Sequence, residues 1–273
     1  MFVFPGVSHY FAHMDLSLIR SEHKSRRAII TLNRPQKRNA LNDVMIAELT
    51  TAFQAAARDA AVKVVLLRAE GSAFSSGADL AQIRDISQRD LEQNRVDSSK
   101  FAFLLRTVYE LRKPVIAAVQ GPALAGGCGL ASVCDFVIAA NELATFGLTE
   151  VHRGFVPAVV IPFLIKRVGE ARTRELALRG NILSALEARS IGLATNCVPD
   201  ATLATATDAL ADELITLNSA TSMGFCKELI AKLHGLNLVD SLDFAANVNA
   251  AARMTADCKE GIEAFLQKTS PKW

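Results

Sequence analysis

The stretch "GPALAGGCGLASVCDF", residues 121–136, decides the fold. It places Gly126, Gly127 and Gly129 at the start of an apolar, helix-forming run, although a glycine in a helix interior costs about 1 kcal/mol relative to alanine. A tight turn, close approach of the backbone to a ligand, or close helix packing can offset that cost. The run follows "KPVIAAVQ" (113–120), a short continuous apolar segment that reads as a buried strand. The glycines therefore fall at a strand-to-helix junction. There, free backbone N–H groups and the positive end of the helix dipole can face an anion.

The same alternation extends outward. "LSLIR" (16–20) and "AIITL" (28–32) read as two short strands joined by a solvated, charged turn, "SEHKSRR". Asn42 is positioned to cap a helix running to about Ala60, with Leu41, Met45, Leu49, Phe53 and Ala56 on one stripe. "VKVVLLRAE" (62–70) is a buried strand ending in the Gly/Ser turn "GSAFSSGADL" (71–80), which leads into a polar helix. Residues 83–99 read as charged, exposed and mobile; a helix is expected near 101–111, and "DFVIAA" (135–140) is a further strand. Alternating helices and strands too apolar to face water predict an α/β core. Beyond Pro157 the pattern turns helical, with Gly180 and Gly192 as stops and Asp200 capping a long Ala-rich helix. Such Ala-rich faces suit either an internal core or a subunit interface.

Composition sets bounds. The chain has 273 residues, half of them apolar, and 30 basic against 28 acidic groups. A net charge of +2 supplies no general attraction to nucleic acid or anionic membrane. Cys128, Cys134, Cys197, Cys226 and Cys258 are scattered, with no metal-ligand spacing, which suggests reduced thiols and a cytoplasmic setting. The start, "MFVFPGVSHYFAHMD", has neither a basic segment nor an unbroken apolar run and does not read as a signal peptide. No apolar run is long enough to span a membrane.

Two Gly-containing turns, "SSGADL" (75–80) and "ALAGGCGL" (123–130), follow two buried strands, and neither fits a nucleotide-binding motif. Two such turns can direct two backbone N–H groups at one oxygen, forming an oxyanion hole. A third segment, "TFGLTEVHRGFVP" (145–157), supplies Glu150, a carboxylate able to move a proton. His152 and Arg153, close to it in sequence, read as surface residues.

These segments, with "LNRPQKRNAL" (32–41), "KPVIAAVQGPALAGGCGLASVCDFVIA" (113–139) and "ALEARSIGLATNCV" (185–198), resemble the crotonase (enoyl-CoA hydratase/isomerase) superfamily over roughly residues 16–268. The resemblance implies an α/β spiral of ββα units with a helical C-terminal part that builds trimers, often paired into hexamers. It divides the chain into a poorly ordered extension (1–14), an acyl-CoA-binding spiral (15–205) and a helical region (206–273). It also implies that the N–H groups of Ala78 and Gly126 hold a thioester oxygen. Arg38, Ala40, Ser76 and Leu80 would then line the coenzyme A path, with residues 81–100 in the acyl pocket wall. Phe265 and Lys268 would reach coenzyme A across a subunit boundary. Coenzyme A enters as part of the substrate, and no separate cofactor is implied.

Two departures from the family pattern matter. Hydratases of this kind commonly carry a glutamate at the position of Gly129 as well as at Glu150, and "PGxGGTQ" where this chain has "VPAVVIPF". Gly129 thus either leaves an acid position vacant or serves close helix packing. Three functions stay open: hydration of a 2-enoyl-CoA, for which "EVHRGFVPAVVIPFLIKRVG" resembles hydratases acting on branched or carboxylated substrates; Δ3-Δ2 isomerisation by the lone Glu150; and acyl-CoA binding without turnover.

Overall fold

The computed structural model describes residues 16–79 and 88–273. The extension expected at 1–14, Leu80 and the start of the expected pocket wall at 81–87 lie outside the described residues.

The first strands are β1 (Ile19–Lys24) and β2 (Arg27–Leu32), an antiparallel hairpin. The turn is shorter than the sequence suggests. Only Ser25 (φ 49°) and Arg26 (φ 62°) lie between the strands, both in the left-handed region that matches hairpin twist. The charged residues of "SEHKSRR" are mostly strand, and Arg27 is buried against Asp208 and Asp212. Helix α1 (Asp43–Arg58) follows, capped by Asn42, whose Oδ1 accepts from Met45 N at 2.9 Å. It buries the expected stripe of Met45, Leu49, Phe53 and Ala56.

Next come β3 (Val64–Ala69) and α2 (Leu91–Glu110). The helix begins ten residues before the expected 101. Asp90 and Gln93 form a reciprocal capping box, so the polar stretch from 91 onward is an ordered, exposed first half of one helix rather than a mobile segment. Then follow β4 (Val115–Val119), β5 (Ala123–Leu124), α3 (Gly126–Ser132), β6 (Phe136–Ala140) and β7 (Thr145–Gly147). Helix α4 (Ile161–Arg179) stops at Gly180 (φ 64°), as the sequence predicts, and bends at Gly169 (φ 79°), which it does not. β8 (Ile182–Ser184), α5 (Ala185–Ser190) and β9 (Asn196–Val198) complete the mixed region.

The rest is helical: α6 (Leu203–Leu217), α7 (Ala220–Leu233), α8 (Leu238–Arg253) and α9 (Ala256–Gln267). Asp200 does not cap α6. It opens a short 3-10 turn, and its carboxylate accepts from Glu142 N instead. The boundary expected at 205/206 falls within α6, which packs across β3, β4 and β6.

Among the described residues the strands form two sheets. The larger has the order β1-β2-β3-β4-β6-β9, parallel from β2 onward. The smaller has the order β5-β7-β8 and is extended by two parallel bridges, Ser75 with Ala123 and Leu41 with Ala78. Each pass of the chain lays one strand in the large sheet and then an extended segment in the small one. This is the expected spiral, with the C-terminal helices outside it. Strands β3 and β4 are almost wholly buried because helices cover the sheet.

Candidate active site

The small sheet assembles the site. Ser75 bridges Ala123 in parallel, with Ser75 N donating to Pro122 O (3.1 Å) and Leu124 N to Ser75 O (2.9 Å). Ala123 and Leu124 pair in parallel with Phe146 and Gly147. Segments that run the same way leave a sheet at the same end. Ala78, Gly126 and Glu150, each a few residues downstream of this register, are therefore delivered to one edge.

Glycines let the two turns meet. Gly77 is left-handed (φ 84°), and a Cβ there would stand 2.7 Å from Ala125 Cβ, 2.9 Å from Leu124 O and 3.1 Å from Gly126 N. At Gly127 a Cβ would stand 2.4 Å from Ser75 O. Both positions demand close backbone approach. Between them Ala125 adopts φ 50°, ψ −124°, a strained conformation for a residue with a Cβ, held by Ala125 N donating to Gly147 O at 2.8 Å.

The peptide planes set where the N–H groups point. Gly77 O accepts from Leu41 N at 2.7 Å. In a trans peptide the Ala78 N–H of the same unit points the opposite way. Ala125 O accepts from Gly129 N inside helix α3, which likewise turns the Gly126 N–H out of the helix N-terminus. Neither Ala78 N nor Gly126 N donates to an acceptor among the described residues. Gly126 adds the first-turn dipole of α3.

Glu150 lies in the 3-10 turn Thr149–Arg153 that follows β7. Phe155 N donates to its carbonyl at 3.1 Å, fixing the backbone. Its Oε2 is buried with no hydrogen-bond partner among the described residues. Burial raises its pKa above the ordinary glutamate value, opposed in part by its own backbone N–H. Cys128, fully buried on α3, has its thiol pushed up to about 12, first by burial and then by the charge of Glu150. His152 turns away from this edge: its Nε2 lies 3.0 Å from Arg179 O and must carry the proton donated there. Arg153 is exposed, so both neighbours have the surface placement their sequence suggests.

The walls are apolar. A Cβ on Gly126 would meet Phe101 Cζ at 3.3 Å and Leu41 Cδ1 at 3.5 Å, so both side chains border the N–H edge. At Gly129, one turn further along α3, a Cβ would lie 2.5 Å from Val160 Cγ2 and 3.2 Å from Cγ1. Val160 is 2% exposed. The space beside Gly129 is filled by Val160, which favours the packing reading over a vacancy awaiting a carboxylate.

Other expected residues divide into two groups. Arg38, Ala40 and Ser76 come together with Ala78: Ser76 N donates to Arg38 O at 3.0 Å, and Ala40 precedes the Leu41–Ala78 bridge. Arg38 is exposed and left-handed (φ 50°). Phe265 and Lys268 are elsewhere, at the C-terminal end of α9. Phe265 is 81% exposed and borders a separate cavity of about 1160 Å³ between the C-terminal helices and the body, which none of Ala78, Gly126 and Glu150 lines. Lys268 ends the helix with φ 56°.

Sequence reasoning missed several supports. Asn39 is fully buried; its Nδ2 donates to Glu70 O and Ala73 O (both 2.8 Å), and its carbonyl accepts from Ser75 Oγ (2.8 Å). A polar side chain fixed among carbonyls in "LNRPQKRNAL" is a signal only once those carbonyls are placed. Leu41 reads as part of a helix stripe, and neither Phe101 nor Val160 is singled out by the sequence.

Comparison with known proteins agrees with this geometry. The enoyl-CoA hydratase/isomerase family model matches residues 22–273. A Thermus thermophilus protein described as "Putative enoyl-CoA hydratase" is 40% identical over 92% of this chain and 98% of its own length. The 2,3-dehydroadipyl-CoA hydratase of Escherichia coli K12 is 34% identical over 91% and 95% of the two chains. The crystal structure of an enoyl-CoA hydratase from Shewanella pealeana superposes with a TM-score of 0.89 at 32% identity, covering 95% of this chain and 97% of that one. With a family model and relatives matching over nearly its whole length, this chain belongs to the enoyl-CoA hydratase/isomerase family.

Proposed function

We propose that this enzyme adds water across the double bond of a 2-enoyl-CoA thioester, using one carboxylate and two backbone donors. The observation that carries this reading is Glu150 Oε2, buried at the same sheet edge as the N–H groups of Ala78 and Gly126, where none of the three has a hydrogen-bond partner among the described residues. Attack of water on C3 drives negative charge onto the thioester oxygen. A preorganised donor aimed at such an oxygen is typically worth about 3–4 kcal/mol. Glu150, ionised, takes a proton from the attacking water as the C3–O bond forms and delivers that proton to C2. Water contributes one hydrogen and one hydroxyl to the product, and Glu150 ends as it began. A pKa raised by burial suits a group that must both take and give a proton. The step is redox-neutral and needs no cofactor beyond the coenzyme A of the substrate.

Relatives named as hydratases support hydration, and the E. coli relative's name supports a carboxylated acyl chain. One observation favours Δ3-Δ2 isomerisation as the second reading: Val160 occupies the space beside Gly129, leaving Glu150 without a second carboxylate there. A lone carboxylate moves a proton along a carbon skeleton without having to orient water. The test supplies crotonyl-CoA, a carboxylated 2-enoyl-CoA and a 3-enoyl-CoA in turn. Loss of the conjugated-enoyl absorbance with ¹⁸O incorporated from labelled water is expected. Gain of conjugation from the 3-enoyl thioester alone would favour isomerisation. Binding without either reaction would mean a silent acyl-CoA carrier.

Assembly belongs to the same proposal. Leu238, Val239, Leu242, Ile262, Phe265 and Leu266 are exposed on α8 and α9. Covering them in a trimer or hexamer would bring Phe265 and Lys268 toward a neighbouring coenzyme A site. Sedimentation showing only a 29 kDa species at micromolar concentration would reject this part.

A further inference from the structure

We propose that Arg34 and Asp79 are positioning residues that aim the Ala78 N–H at the substrate carbonyl, an inference that rests on the hydratase reading above. The pair is nearly buried, with side chains 15% and 8% exposed, and it flanks the donor on both sides.

The path runs through two peptide units. Arg34 Nη1 donates to Ala40 O at 3.2 Å, fixing the Ala40–Leu41 peptide. The N–H of that same peptide, Leu41 N, donates to Gly77 O at 2.7 Å, fixing the Gly77–Ala78 peptide. The N–H of the second unit is the proposed oxyanion donor. Both peptides are planar and trans, so a rotation of the first must tilt the second. The same Nη1 is also ion-paired with the Asp79 carboxylate, immediately beyond Ala78, and Asp79 N donates to Leu41 O at 3.2 Å. Arg34 therefore grips the strand before the bridge and the residue after it. Its own backbone is held too, since Arg34 N donates to Asn39 Oδ1 at 2.9 Å.

A guanidinium suits this role because its donors lie in one rigid plane and its charge persists at every working pH. Lysine at position 34 could keep the charge on Asp79, but Nη1 alone makes both contacts, and an ammonium on a shorter, unbranched stem would have to reach that same point to hold Ala40 O as well. The contribution proposed for this pair comes through geometry rather than through contact with the substrate. Misplacing a reacting or stabilising group by about 1 Å can cost 10²-fold in rate.

Asp79→Asn leaves the Arg34 charge buried and unpaired, and that variant can unfold. The deciding variant is therefore Arg34→Met with Asp79→Leu, because replacing a buried ion pair by apolar groups of similar volume is often neutral for stability. Arg34→Lys is the conservative companion. Each is compared with the native chain for kcat and KM on crotonyl-CoA. Each is also titrated with a chromophoric, amino-substituted cinnamoyl-CoA, whose absorption moves to longer wavelength when its carbonyl is polarised.

The double variant is expected to melt within a few degrees of the native chain. Its kcat should fall about 10- to 100-fold with KM changed less than threefold, and the red shift should be largely lost. Arg34→Lys should sit between the two. A folded double variant that keeps the shift overturns the proposal, whatever its kcat, and so does one that loses only affinity. If the native chain itself binds the chromophore with no shift, the oxyanion-hole reading fails first and this proposal with it.

Discussion

A single methyl group at Gly129 should push helix α3 against Val160. The added Cβ would stand 2.5 Å from Val160 Cγ2, against 3.4–4 Å for an ordinary contact, so about 1 Å of separation must be recovered. Val160 cannot simply swing aside. It is β-branched, 2% exposed, and its N–H is bound to Pro157 O at the start of α4. Overpacking of this kind costs about 1–3 kcal/mol. Replacing glycine by alanine in a helix returns about 1 kcal/mol. Gly129→Ala should therefore destabilise by about 0–2 kcal/mol. Val160→Ala alone loses two buried methyl groups at ~0.8 kcal/mol each plus a cavity term, about 2–3 kcal/mol. In the double variant the methyl added at position 129 enters the space Val160 gives up, so the combined loss should fall short of the sum by about 1–3 kcal/mol. Urea unfolding of the four proteins at one protein concentration measures that coupling. Additivity to within about 0.5 kcal/mol would refute the contact. Gly129→Glu meets the same clash and adds a carboxylate close to Glu150. It should lower the unfolding midpoint further and give no faster hydration of crotonyl-CoA. A faster rate at an unchanged midpoint would return Gly129 to the reading of a vacant acid position.

Glu150→Gln should keep coenzyme A thioester affinity and lose about 10²–10⁴-fold in turnover, the usual worth of a general acid–base; steady-state kinetics with a parallel binding titration decides, and near-native kcat would remove Glu150 from the chemistry. The folded-state pKa of Glu150 is raised, so the folded chain holds this proton to a higher pH than the unfolded chain does. Its contribution to stability is therefore full below the unfolded pKa and is lost as pH rises through the folded value. Glu150→Gln should thus melt higher than the native chain at neutral pH, with the gap closing in acid, and a Gln variant that melts lower at neutral pH would contradict the burial argument. The acid limb of kcat/KM should also lie above the ordinary glutamate range. Burial pushes the thiols of Cys128 and Cys134 up to about 12, so a thiol reagent at about pH 8, near the pKa of a free cysteine, should modify neither until denaturant is added, as peptide mapping would show.

What was legible in the sequence was local. The two Gly-containing turns and the segment holding Glu150 each follow a short apolar strand within a few positions, whereas the choice of Ala78 and Gly126 as donors comes from the family resemblance. Asn42 announces its helix because its side chain bonds three residues ahead. Two of the errors involve partners far along the chain. Arg27 reads as part of a wet loop because the aspartates that bury it, Asp208 and Asp212, lie on α6. Asp200 reads as a cap because the competing donor, Glu142 N, belongs to another turn. The described part of the 83–99 stretch reads as mobile because its polarity from Leu91 onward reflects an exposed helix face, while Leu104, Leu105 and Val108 bury the far end.

The same distinction explains Gly129. A glycine in a helix reports that something lies close to its Cα, and the sequence offers ligand, turn and packing with equal force. The choice is made by Val160, which reaches the helix from the start of α4 and would stand 2.5 Å from a Cβ added at Gly129. Gly127 meets the Ser75 backbone and Gly126 meets Phe101. Three glycines on one short helix thus answer to three different neighbours: a strand that must pass close, an aromatic side chain beside Gly126, and a valine packed against Gly129. On the mechanism proposed above, the Gly126 N–H is the one among these three that meets the substrate, so substitutions at the three positions should separate rate from stability, with Gly127 and Gly129 governing the fold and Gly126 the reaction.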